Sequence, residues 1–378
     1  MKFIHLADLH IGKRVNNFSM LEDQKYALKN IVNLAKKEEA DAILIAGDVF
    51  DTTVPSGDSI MTFDSFITEL NQLGIKILII SGNHDSSERL SFASSMLEKS
   101  NIFISKPYSG NIERIILEDE YGNINFYLFP YVKPVQVKRY FKDCNIENFN
   151  EAAKVILDNI FIDDSQRNII LSHQFVLGAS RSESEEIYAG GLEAVSADLY
   201  EKFDYIAMGH IHKKQYFLGG KLRYSGSLLK YSASEVGYDK KITIVEIGKK
   251  GEMEVTEHEI DYLRDMRVLM GNFEDVEKFA KNDDSRQDYM HITLYDEDEV
   301  LDGISILREH YPNIMSLKYE NSKTKYSDSD IINRNVELKN PLEIFEEFYL
   351  IRNGIELSES KKEIISNIIG EVWGKNES

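Results

Sequence analysis

The sequence predicts an α/β protein with a smaller α+β unit behind it, and three observations carry that prediction. Short apolar runs alternate with helix-period stretches through the first 250 residues, the rhythm of βαβ units with helices on both sides of a sheet. Four of the five strand candidates there are almost wholly apolar, as strands covered on both faces are. Near residue 260 the pattern changes and acidic residues become densest, which marks a change of module.

The five strand candidates are Lys2–Ala7, Ala42–Ala46, Lys76–Ile80, Asn168–Leu171 and Tyr205–Met208. Helical patterns fill the intervals at Leu21–Lys37, Ser59–Leu73, Arg89–Lys99 and Phe149–Ile160. Ile112–Leu117 and Asn125–Pro130 flank Gly122-Asn123 and predict a hairpin. Lys221–Tyr224 and Lys241–Glu246 predict a second hairpin. Farther on, Met266–Met270, Met290–Tyr295 and Met315–Tyr319 read as strands and Val300–His310 as a helix. The polar stretch Lys323–Asn335 reads as a linker. A helical pair then closes the chain. Asn340-Pro341 starts the first helix and Gly354 stops it. Ser360 and Glu363 form a capping box for the second, which carries Ile364, Ile365, Ile368, Ile369, Val372 and Trp373 on one stripe.

A chain of 378 residues suggests two domains, or one large and one small. With 42% hydrophobic and 29% charged residues it is neither disordered nor fibrous. The net charge of −20 repels phosphate, so the chain alone is a poor binder of nucleic acid or anionic membrane. The single cysteine, Cys144, excludes an intramolecular disulfide framework and fits a reducing cytoplasm. No segment reaches the ~18 apolar residues of a membrane span, and the run Phe3–Ala7 is too short for a signal peptide. The expectation is a cytoplasmic protein without a membrane partner.

The chemistry sits at strand ends. Asp8-Leu9-His10 follows the first strand and Gly47-Asp48-Val49-Phe50-Asp51 the second. Gly82-Asn83-His84-Asp85 follows the third, Ser172-His173 the fourth and Gly209-His210-Ile211-His212 the fifth. Ligands of open α/β sheets bind beyond the carboxyl ends of strands, so five such clusters can converge. Asp carboxylates, an Asn carbonyl and imidazoles without thiolate favour Mn²⁺, Fe²⁺ or Zn²⁺ over a purely oxygen-lined Mg²⁺ or Ca²⁺ cage. Seven candidate ligands suit two ions, and two ions can hold a phosphate and activate a water. Asp48 is the natural bridging carboxylate, with the preceding Gly47 leaving room.

Asp-x-His, Gly-Asp-x-x-Asp, Gly-Asn-His-Asp, a lone His and Gly-His-x-His, in this order over residues 8 to 212, resemble the calcineurin-like metallophosphoesterases. The opening Phe-Ile-His-Leu-Ala-Asp-Leu-His-Ile-Gly-Lys, the stretch Leu21-Glu22-Asp23-Gln24, the chain length and the tail after Pro341 resemble the SbcD-type nuclease subunits within them. The resemblance implies a four-layer sandwich of two mixed sheets flanked by helices, a small α+β cap and a C-terminal helical pair. It implies modules at 1–258 (nuclease core), 259–335 (DNA-recognition cap) and 336–378 (ATPase-binding segment). Asp8, His10, Asp48 and His212 would hold one metal ion, and Asp48, Asn83, His173 and His210 the other. His84 would act on the phosphate as general acid or charge stabiliser, oriented by Asp51, where archaeal and eukaryotic relatives usually carry a histidine. The implied activity is Mn²⁺-dependent exonuclease and endonuclease cleavage of DNA in repair, recombination and replication. The implied assembly is a homodimer within a heterotetramer, with an SbcC-like coiled-coil ATPase as partner. The helices after Ser59 and Arg89 are the candidates for a two-fold interface. A small-substrate or protein phosphoesterase on the same core, and a non-catalytic scaffold for an ATPase, are the rival readings.

Other residues carry plainer expectations. Asp85-Ser86-Ser87-Glu88 reads as a capping box. His5, opposite in strand parity to Asp8 and His10, reads as a core histidine, and His258, His291 and His310 as surface or packing residues. Gly12-Lys13-Arg14 suits either backbone-phosphate contact or an exposed basic turn. Lys133, Lys138 and Arg139 fit a solvated helix face, and 180–191 a loop that borders the site or is simply a loop.

Overall fold

The computed structural model describes residues 1–185, 193–321, 342, 345, 346, 349 and 357–373. The chain divides into two units, Met1–Asp265 and Met266–Ser378. The first begins with β1 (Lys2–Leu6), a short hairpin of β2 (Arg14–Val15) and β3 (Phe18–Ser19), and α1 (Leu21–Lys37). Then come β4 (Ala42–Ala46), α2 (Gly57–Gln72), β5 (Lys76–Ile80), α3 (Ser87–Leu90), α4 (Ser94–Leu97) and β6 (Ile102–Ile104). The hairpin β7 (Glu113–Asp119) and β8 (Gly122–Phe129) leads to α5 (Pro134–Lys138), α6 (Phe149–Asp158), β9 (Arg167–His173) and β10 (Tyr205–Gly209). Four strands complete the unit: β11 (Gln215–Phe217), β12 (Leu222–Tyr224), β13 (Lys241–Ile247) and β14 (Met253–Glu259).

Two six-stranded mixed sheets result, in the orders β14-β13-β1-β4-β5-β6 and β11-β12-β10-β9-β8-β7. Their inner faces meet. Phe3, Leu44, Leu78 and Ile80 of the first sheet pack on Phe126, Leu128, Leu171 and Tyr205 of the second. The outer face of the second sheet, with Tyr127, Ile170, Ile206 and Met208, packs on Ala152, Ala153, Ile156 and Leu157 of α6. On the other side α1 buries Leu28 and Ile31 and α2 buries Phe63, Phe66 and Leu70, with α2 against β5. This double coverage explains the unbroken apolar runs, as in β4, where all five residues are buried. The fold is a four-layer α/β sandwich.

Two expectations fail. Lys221–Tyr224 and Lys241–Glu246 do not pair with each other: β12 lies between β10 and β11 in one sheet, and β13 between β1 and β14 in the other. The partner of β13 escaped detection because Met-Glu-Val-Thr-Glu-His-Glu is an exposed edge strand without an apolar run. The helix over Arg89–Lys99 is broken into α3, α4 and a 3₁₀ turn, with Ala93 at φ 60°. In α3 and α4 only Leu90 and Ser94 are buried, so no continuous apolar face holds one helix together.

The second unit contains β15 (Met266–Gly271), α7 (Phe273–Ala280), β16 (Tyr289–Leu294), α8 (Gly303–Arg308) and β17 (Ile314–Tyr319). The strands form a parallel sheet in the order β15-β16-β17. Its core joins Phe273, Val276, Met290, Ile292, Leu294 and Leu307. The eight-residue α7 was not foreseen, because two turns give too short a period to read. A terminal helix spans Glu359–Trp373. Most of the expected first helix of the pair, the 323–335 linker and residues 186–191 of the 180–191 loop lie outside the described residues. Among the described residues no helix is long and apolar enough to cross a membrane.

Candidate metal centre

β1, β4 and β5 run parallel in one sheet, and β9 and β10 in the other. Their carboxyl ends deliver Asp8 and His10, Asp48, Asn83 and His84, His173, and His210 and His212 to one place. The backbone there is strained. Asp8, His10, Asp48 and His210 have φ of 52°, 45°, 49° and 96°, a left-handed region that costs non-glycine residues ~1–3 kcal/mol each and persists where surroundings enforce it. The enforcement is visible. Asp8 and His10 N–H groups donate to the carbonyls of Gly47 (3.1 Å) and Asp48 (2.9 Å). Gln24 of α1 accepts from Gly12 N–H at 2.9 Å and donates to the His10 carbonyl at 2.7 Å. The Tyr231 hydroxyl donates to the Leu9 carbonyl at 2.7 Å.

Asp85 corrects the sequence reading. The cap of α3 is Ser86, which accepts from Arg89 N–H. The buried Asp85 carboxylate instead accepts the N–H groups of Gly82 (2.9 Å), Val49 (3.1 Å) and Phe50 (2.9 Å), and so locks the Asp48 loop to the Asn83 loop. Burial pushes its carboxyl up to about 6. Glycine also acts differently from the expectation. A Cβ on Gly47 would strike His173 Nδ1 at 2.3 Å, and it is a Cβ on Gly82 that would strike Asp48, at 2.1 Å from Oδ1 and 2.4 Å from the main-chain nitrogen. Gly82 makes the room for Asp48.

The seven candidate ligands come together. The donor atoms of Asp8, His10 and His212 lie within 4.8 Å of one another, as do those of Asp8, Asp48 and His173 and those of His10, Asp48 and His84. Asn83 Oδ1 lies 2.9 Å from both His173 Nε2 and His210 Nδ1. Asp48 Oδ2 lies 3.3 Å from His173 Nε2 and 3.7 Å from His10 Nε2, between the two histidine groups. The Asp51 carboxylate sits at 2.7 Å from Lys13 Nζ and 3.4 Å from His10 Nδ1. His84 Nδ1 meets the main-chain carbonyl of Asp51 at 3.0 Å, so Asp51 reaches His84 through its backbone and not through its carboxylate.

Electrostatics and unmet valence fit this donor set to divalent cations. Burial holds His10 down at about 3 and His210 and His212 below the usual imidazole range, so these rings are neutral and present lone pairs. Burial, reinforced by the Asp48 charge, pushes Asp8 up to about 8. Burial also disfavours the charged His173, but Asp48 and Asp8 outweigh it and lift His173 to about 9. Two carboxylates thus share one buried pocket, with His173 the strongest counter-charge on both. His10 and His212 set Nε2 against Nε2 at 3.0 Å, and His10 Nδ1 is buried without a hydrogen-bond partner. A cation beside these two nitrogens would draw a lone pair from each ring in place of the hydrogen bond between them.

The remaining candidates fall elsewhere. His5 is buried with Nδ1 2.9 Å from the Tyr205 hydroxyl, and His291 meets Ser316 at 2.7 Å. Lys133, Lys138 and Arg139 are exposed. Lys13 is mostly buried against Asp51, so Gly12-Lys13-Arg14 is not simply an exposed turn. Ser184 and Glu185, in the loop read as one that borders the site or is simply a loop, do meet His212, whereas Tyr231, Glu235 and Lys240 stand in stretches with no motif and escape a sequence reading. Gln24 carries no signal of its own in the sequence beyond the Leu21-Glu22-Asp23-Gln24 resemblance.

The calcineurin-like phosphoesterase family model matches residues 1–214. A second model, SbcD_C, described as the type 5 capsule protein repressor C-terminal domain, matches residues 262–352. Among solved structures, a dimetal phosphatase from Danio rerio is similar over 70% of this chain and 98% of its own, at 12% identity and a TM-score of 0.41. A protein of Thermus thermophilus is similar over 68% of this chain and 98% of its own, at 14% identity and a TM-score of 0.36. With one model covering more than half of the chain and the other following it, the chain belongs to the calcineurin-like phosphoesterases, a family of metal-dependent phosphoesterases, in the SbcD-type arrangement.

Proposed function

We propose that the protein is the nuclease subunit of a DNA end-processing complex, a phosphodiesterase that works with two Mn²⁺ ions and an SbcC-like coiled-coil ATPase in repair, recombination and replication. One observation carries the reading: the Asp48 carboxylate stands between two separate histidine groups, as a carboxylate shared by two ions must. Asp8, His10, Asp48 and His212 would hold one ion, and Asp48, Asn83, His173 and His210 the other. When bound, such a pair activates a water and grips the phosphodiester. The chain does the rest. His84, steadied by the Asp51 carbonyl, stabilises charge on the phosphate or gives a proton to the leaving oxygen.

The proposed modules are a nuclease core over 1–258, a DNA-recognition cap over 259–335 and an ATPase-binding segment over 336–378. Ile364 and Ile368, one turn apart, are exposed on the terminal helix and suit docking on a partner. Val54, Ile60, Met61, Phe92 and Met96 are exposed around α2, α3 and α4. That patch supports a homodimer within a heterotetramer. With a net charge of −20, the chain relies on its partner to bring DNA near. The single cysteine supports a cytoplasmic setting. The test is nuclease assay with Mn²⁺ on linear duplex and hairpin DNA, with and without the ATPase and ATP. Metal-dependent cleavage that the partner and ATP enhance is expected. Hydrolysis of small phosphoesters with no cleavage of DNA in any combination would overturn the reading.

A further inference from the structure

We propose that Glu235 is a positioning residue for His212, acting through the Ser184 hydroxyl and held by Lys240. The inference rests on the assignment of His212 as a metal ligand and extends it to residues that no motif contains.

His212 points Nε2 at His10, which leaves Nδ1 to be satisfied on the other side of the ring. Ser184 Oγ lies 2.7 Å from that Nδ1 and also hydrogen-bonds Glu235 Oε1, itself 3.5 Å from His212 Nδ1. Glu235 Oε2 accepts from Lys240 Nζ at 2.6 Å. Lys240 Nζ donates back to the main-chain carbonyl of His212 at 2.8 Å and to Ser227 Oγ at 2.6 Å. Glu185 Oε1 accepts the His212 N–H at 2.6 Å. The chain of bonds therefore leaves the imidazole, passes through Ser184, Glu235 and Lys240, and returns to the backbone of the same residue.

The carboxylate end of this relay fixes its direction. Ionised Glu235 only accepts, so Ser184 donates to it and its oxygen accepts a hydrogen bond from His212 Nδ1–H. That tautomer leaves the Nε2 lone pair free on the side of His10. Glu235 is fully buried and Lys240 and His212 nearly so. A charge pair placed there without function would cost several kcal/mol of desolvation per ion. Outer partners of this kind tune ligand basicity and orientation and are worth about 10–100-fold in metal affinity. The group nearest the corresponding Nδ1 of His10 is the Asp51 carboxylate, at 3.4 Å, so the Ser184 hydroxyl relay belongs to His212.

The test is calorimetric titration of the metal-free full chain with Mn²⁺. Ser184→Ala removes the relay but leaves Glu235 paired with Lys240, so it is the variant least disturbing to folding. Ser184→Thr keeps the hydroxyl, and Glu235→Gln weakens the acceptor. Wild type is expected to bind two ions. Ser184→Ala and Glu235→Gln are expected to weaken one binding step about 10–100-fold and spare the other, with Ser184→Thr restoring it. Two wild-type-like steps in Ser184→Ala, or equal weakening of both, would overturn the inference while leaving the ligand assignment standing. Fewer than two ions on the wild type would overturn the ligand assignment and this inference with it.

Discussion

Replacing Gly82 by alanine should disable the centre through sterics alone, without removing any charge or ligand. An alanine Cβ would sit 2.1 Å from Asp48 Oδ1 and 2.4 Å from the Asp48 main-chain nitrogen. An ordinary contact begins at 3.4 Å, so the Asp48 segment or the Gly82 loop must give way by about 1 Å. The segment cannot yield cheaply. Its Asp48 is already at φ 49°, its carbonyl is bonded to His10 N–H, and Asp85 ties Val49, Phe50 and Gly82 together. Overpacking of this kind costs ~1–3 kcal/mol of stability, and a misplacement of ~1 Å costs ~10²-fold in rate. Gly57→Ala is the control, because nothing lies within 4 Å of its Cβ position. The assay is hydrolysis of a chromogenic phosphodiester at saturating Mn²⁺, with thermal unfolding measured in parallel. Gly82→Ala is expected to fold with a lowered melting temperature and to lose about 100-fold in turnover. The control should match wild type. Turnover within threefold of wild type in Gly82→Ala would refute the reasoning that Gly82 makes the space for Asp48.

Three further outcomes are expected. His84→Gln should lose ~10²–10⁴ in turnover and still bind both ions by calorimetry, whereas loss of an ion would make His84 a ligand. Asp119 accepts from Arg167 and from the Met1 amino group; burial disfavours its charge, but these partners outweigh it and hold its carboxyl below the usual range. Its contribution is therefore present above the unfolded value of ~3.9 and lost as pH falls through the folded value. Asp119→Asn should cost ~2–3 kcal/mol in urea unfolding at pH 7 and progressively less below about pH 4, and a constant deficit would contradict this. Deleting 340–378 should leave hydrolysis of the chromogenic substrate intact, since every candidate ligand precedes residue 213, and should abolish co-elution with the coiled-coil ATPase. Stoichiometric co-elution of the truncated chain would place the docking surface elsewhere.

The centre was legible in the sequence because its parts are local. Asp8, Asp48, Asn83, His173 and His210 each stand just past an apolar strand, and their residue types are few enough to stand out. What surrounds them is assembled over long distances. Glu235 and Lys240 look like any surface charge pair in the run Ser-Glu-Val-Gly-Tyr-Asp-Lys, and only the fold shows them buried beneath His212. Asp85 was misread for a physical reason: aspartate before Ser-Ser-Glu is a good helix cap, and the sequence cannot tell that Ser86 takes that task while Asp85 turns inward. The sheet order suffered in the same way. Chain neighbours suggested a hairpin for β12 and β13, but the apolar face of β13 is satisfied beside β1, and β12 beside β10.

The proposal that Asp48 is shared by two ions is the central claim, and anomalous diffraction at the manganese edge tests it most directly. Crystals of the full chain equilibrated with Mn²⁺ should give two peaks, one on each side of Asp48, the first beside Asp8, His10 and His212 and the second beside Asn83, His173 and His210. Crystals of Asp48→Asn should lose at least one peak. A single peak in wild type, or two that do not flank Asp48, would contradict the account.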